Sequence, residues 1–217
     1  MSPSPLSRIA APLAVVAGAL VILTRLPTIL FLLGNPDVGD LTAFVLGPTH
    51  AIVSVASIVA FALLVLALVA IYEREARSTG LLGLVGFGAA LIGTIFMAGD
   101  WWYEAFAVPR IAELAPEVMD TFVGGRLLMG GLTSFALIGV GWVLFGAASL
   151  RARVFPPVIS AVILVGGLLS GVPIGFAYLT GGVILGLGIA WLGAWLIGAA
   201  IPEGKAAAPG AIGSIEI

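Results

Sequence analysis

The sequence predicts an all-α integral membrane protein, a bundle of six transmembrane helices with a short amphipathic element between the third and fourth. Three observations carry this. Of 217 residues, 61% are hydrophobic and 9% charged, where soluble domains are near half apolar and a quarter charged. The apolar residues fall in blocks long enough for a hydrocarbon core, which takes about 20 helical residues. One such block ends in "FMAGDWWYEAFAVPR" at 96–110, with two tryptophans, a tyrosine and two carboxylates, the composition of a membrane rim.

The first span is drawn at 9–33. Arg8 and the "AGA" at 17–19 imitate a signal peptide, but the apolar run continues past Arg25 to Leu33, too long for an ordinary signal core. The second, 50–72, follows Gly47-Pro48-Thr49, with Thr49 placed to cap its start. "EREARST" then connects it to a third span at 80–99. Residues 101–121 read as a short amphipathic element interrupted at Pro109 and Pro116. The fourth span covers 127–149, and the fifth, 157–177, is opened by Pro156-Pro157 and open to shortening by "SGVPIG" at 170–175. The sixth covers 180–200, so that 1–200 forms a single transmembrane domain and 201–217 a flexible cytoplasmic tail.

Basic residues set the orientation. Arg8, Arg74, Arg77, Arg151, Arg153 and Lys205, six of the nine, fall on one side of a six-span arrangement, which places that side and both termini in the cytoplasm of a plasma-membrane protein. The first connection, "GNPDVGDLTAFVLGPTH", carries Asp37 and Asp40 and no Lys or Arg, as an external segment would. Helix association in lipid depends on close backbone approach, and the sixth span shows a small-residue stripe: Gly182, Gly186, Ala190, Ala194 and Gly198. Ala10, Ala14 and Gly18 make a shorter one on the first span. Such stripes are expected to meet protein, either within the bundle or on a second copy or another helix.

Charged and polar groups converge by topology at the outer end. Arg25, Asp100, Glu104, Arg126 and His50, the lone histidine, all fall there, beside Trp101, Trp102 and Tyr103. Arg25 cannot be neutralised, so it must snorkel, face a wet cavity or meet a carboxylate; Asp100 and Glu104, four apart on one helical face, are the available partners. The aromatics fit an interfacial belt equally well, and His50 fits a plain position at a helix start. One imidazole and two carboxylates are too ordinary a set to assign a metal, and no cofactor is expected.

Other classes are excluded. A net charge of −2 gives no basic stripe for nucleic acid. The absence of cysteine removes disulfides, thiolate nucleophiles and iron–sulfur ligation. No metalloprotease, serine-hydrolase or P-loop motif occurs, and "GFGAALIG" lies inside an apolar span with no strand before it. The build resembles that of small bacterial membrane proteins, without a motif that singles out one family. The expectation is therefore a small-molecule or lipid ligand bound in a polar pocket at the outer face by a transporter or sensor. An accessory subunit and a membrane-embedded enzyme acting on a lipid-like substrate are the alternatives.

Overall fold

The computed structural model describes residues 5–34, 41–121 and 124–206. The described chain is helical, without strands: α1 (Pro5–Gly34), α2 (Leu41–Val45), α3 (Pro48–Leu114), a 3-10 turn (Pro116–Thr121), α4 (Gly125–Ala152), α5 (Pro157–Ser170) and α6 (Gly175–Ala206). Four of these, α1, α3, α4 and α6, are long and apolar enough to cross a membrane.

α3 contains 67 residues, but it is not one rod. Gly80 adopts φ 61° and ψ −151°, a region open in practice only to glycine. There the chain folds back on itself. Tyr72 and Phe87 stack across the fold with ring centres 4.1 Å apart. His50 Nε2 lies 3.1 Å from the Glu104 carbonyl oxygen although 54 positions separate them, a span of about 80 Å along a straight helix. α3 is thus a hairpin of two antiparallel limbs, 48–79 and 81–114.

Several expected boundaries are corrected by this. "EREARST", expected as a connection between two spans, is helical up to a single-residue turn, and its Glu75 is fully buried and accepts a hydrogen bond of 2.7 Å from the Ser149 hydroxyl. Thr49 does not cap α3; Gly47 occupies that position, without a side-chain cap, and Pro48 follows. The second limb continues through Pro109 to Leu114. The amphipathic element expected at 101–121 is therefore mostly the end of α3, followed by the 3-10 turn. Proline removes one backbone donor, a loss one position of a long helix tolerates. At the other terminus α6 extends into the expected tail, to Ala206; 207–217 lie outside the described residues.

α5 opens at Pro157, as its sequence predicts, and ends at Ser170. Its 14 residues measure about 21 Å, short of a hydrocarbon core of about 30 Å. The turn at 171–174 is seated on α4: a Cβ on Gly171 would sit 2.6 Å from the Gly139 Cα.

α1 packs on α3 and α6, α3 on α4, α4 on α5, and α5 on α6. One core joins them, with Trp142 and Phe145 fully buried. Trp142 Nε1 donates to Thr94 Oγ1 at 3.2 Å, and that hydroxyl donates to the Ala90 carbonyl.

The contact between α1 and α6 shows what the small residues do. A Cβ on Gly186 would lie 2.7 Å from the Gly18 carbonyl oxygen, and one on Gly193 would lie 2.6 Å from that of Ala11. The expected stripe holds only for its first part. Gly182 and Gly186 are buried, Ala190 is half-buried against Gly18, and Ala194 and Gly198 are exposed. Four residues advance about 400° on an α-helix, so a four-residue stripe drifts about 40° per step and leaves a straight contact line. Gly182 and Gly193, eleven positions apart, stay on it.

Candidate functional site

At the end of the bundle where α2 and the 3-10 turn pack on the second limb of α3, a second, smaller cluster forms from Val45, Val108, Ala112 and Met119. It roofs a cavity of about 500 Å³, within the usual range for small-ligand pockets. The walls come from α1 (Pro27, Thr28, Phe31), α2 (Phe44, Val45), both limbs of α3, α4 (Leu127, Leu128, Gly131, Leu132, Phe135) and the start of α6 (Tyr178). Pro173, in the turn after the short α5, also lines it. α5 ends early, and the turn that follows it packs on α4 at Gly171 while Ile174 is exposed.

His50, Asp100, Trp101, Tyr103 and Glu104 all line this cavity. His50 stands on the first limb of α3 and the other four on the second, so the Gly80 fold brings them together. The buried His50 donates from Nε2 to the Glu104 backbone carbonyl at 3.1 Å, and the same nitrogen is 3.7 Å from Glu104 Oε2. Asp100 faces Ser134 of α4. Among the described residues no three His, Asp or Glu side chains converge as a metal ion requires.

Three other expected site residues lie elsewhere. Trp102 is 56% exposed and packs on Phe106, with ring centres 5.6 Å apart, on the outside of the second limb. Arg126 is exposed at the start of α4 and outside the cavity wall. Arg25 is buried behind the wall: at 1% exposure it neither snorkels nor pairs with Asp100 or Glu104. Its guanidinium carbon instead lies 4.7 Å from the Trp101 ring centre, 5.0 Å from Tyr178 and 5.4 Å from Phe61. Its Nε and Nη1 have no hydrogen-bond partner among the described residues. The physical reason is space: a Cβ on Gly182 would lie 3.0 Å from Arg25 Nε, so that glycine makes room for the arginine stem between α1 and α6. The guanidinium meets three aromatic faces, whose quadrupoles attract a cation strongly where water is excluded.

Tyr178 is the residue that sequence reasoning missed. It lines the cavity, contacts Arg25, and meets Phe135 edge-on with ring centres 4.9 Å apart. Its sequence signal was faint, a lone tyrosine in a helix that also carries Phe176, Trp191 and Trp195. Phe31 and Phe44, with ring centres 4.6 Å apart, close the α1–α2 side, and Phe44 stands edge-on to His50. The arrangement is an apolar, aromatic chamber into which two carboxylates, an imidazole and two phenols project. A mostly apolar lining with a few convergent polar groups is the usual character of a small-ligand pocket. The chain matches no protein-family model, no curated protein and no solved structure.

Proposed function

We propose that this chain is a plasma-membrane protein that crosses the bilayer six times, through α1, the two limbs of α3, α4, α5 and α6. In this reading both termini are cytoplasmic, and the cavity at the outer end binds a small ligand for transport or sensing. The arginines at the Gly80 turn and after α4 support the orientation. The short α5 fits a crossing because irregular backbone is tolerated at membrane depth where it is buried in protein or lines a cavity, as Pro173 does.

The observation that carries the binding role is the chamber itself: about 500 Å³, mostly aromatic and aliphatic, with a few convergent polar groups. Gly131 gives a clean test, since it lines the cavity and a Cβ there meets nothing within 4 Å. Gly131→Leu fills the chamber while improving helix propensity. Native mass spectrometry of the full chain released from its own membrane should show a small-molecule adduct that Gly131→Leu removes. Identical spectra for the two chains would refute the binding role.

A further inference from the structure

We infer that the chamber selects an organic cation with an apolar body, an amine or a quaternary ammonium or phosphonium ion. This rests on the reading of the cavity as a ligand site and adds its charge preference. Two carboxylates, Asp100 and Glu104, are in the wall, and no arginine or lysine is among the described residues that line it. The nearest buried cation, Arg25, sits behind Trp101 and Tyr178. Two carboxylates against one guanidinium leave one negative charge uncompensated when His50 is neutral. A bound monocation neutralises it, whereas an anion adds to it.

The rest of the wall fits the same ligand. Trp101, Tyr103, Tyr178, Phe31, Phe44 and Phe135 supply aromatic rings, which attract organic cations and accept apolar groups alike. A bare metal ion would find few oxygen ligands here. A neutral lipid tail would leave that one negative charge uncompensated, which is costly. An organic cation satisfies the charge and the apolar surface together.

Tetraphenylphosphonium and tetraphenylborate, ions of like shape and opposite charge, separate these possibilities. The measurement is equilibrium dialysis with the full chain in neutral detergent, against empty micelles. The phosphonium should bind saturably and more tightly than the borate. Asp100→Asn and Glu104→Gln should each weaken it about tenfold, the size of one screened charge pair, without weakening the borate. Equal binding of both ions, or borate binding tighter, with neither altered by the two substitutions, would overturn the cation preference and leave the cavity as an apolar ligand site. Saturable binding of neither ion would overturn the cation preference and the ligand-site reading together. Because the two ions are compared on the unmodified chain, the result stands even if a variant folds poorly.

Discussion

The guanidinium carbon of Arg25 lies 4.7 Å from the ring centre of Trp101, and no carboxylate among the described residues forms an ion pair with it. A lone arginine at a helix centre costs about 2.5 to 3.5 kcal/mol on insertion scales, so the aromatic cage and the nearby acidic wall are what make the position tenable. Arg25→Leu and Trp101→Leu should each lower the thermal midpoint in detergent. Their double-mutant cycle should show a coupling of about 0.5 to 2 kcal/mol. Strict additivity would mean that the contact contributes nothing.

The hairpin of α3 depends on Gly80. Any side chain at φ 61° and ψ −151° is strained by about 1 to 3 kcal/mol, so Gly80→Ala should destabilise the protein by that much. Ala76→Gly, placed in the regular helix four residues before, serves as the control and should cost about 1 kcal/mol or less. If Gly80→Ala leaves the midpoint unchanged, the fold-back at this residue is wrong.

The two ends of the small-residue stripe on α6 should behave differently. Gly186→Leu drives a side chain into the Gly18 backbone of α1 and should cost well over the 1 to 3 kcal/mol typical of overpacking. Ala194→Leu points to an exposed position and should be close to neutral. Equal losses at both positions would show that the whole stripe is an interface.

The orientation can be read from two single cysteines, since the native chain has none. Ser78, beside the Gly80 turn, and Leu114, at the far end of α3, are both exposed. An impermeant thiol reagent on intact cells should label Leu114→Cys, and should reach Ser78→Cys only after permeabilisation. The opposite pattern would invert the protein in the membrane.

Hydropathy located the helices well because apolar blocks of helical length leave few alternatives. Their ends were less legible. The residues before Gly80 are good helix formers, so the helix has no break until a single glycine supplies the positive φ, and Glu75 within that stretch is buried against Ser149. Pro109 reads as an interruption because the cost of one lost hydrogen bond is local, whereas the helix around it is held by packing at Val108 and Ala112. At the site, the aromatic and acidic stretch was visible as chemistry, and His50 and Glu104 do share the cavity. Which residue holds Arg25 could not be read. Carboxylates announce themselves as partners for a cation, whereas Tyr178 on α6 and the space left by Gly182 emerge only when α1 and α6 are docked.

Ligand binding in the chamber is the central claim, and filling the chamber is its most direct test. Equilibrium dialysis of tetraphenylphosphonium against the wild-type chain and Gly131→Leu, both in neutral detergent, needs no knowledge of the native ligand. About one ion per wild-type chain, taken up saturably, and at least tenfold weaker uptake by a Gly131→Leu chain of equal thermal stability, is the result expected. Uptake of the same strength by both chains would place binding outside the chamber lined by His50, Trp101 and Glu104 and contradict the claim.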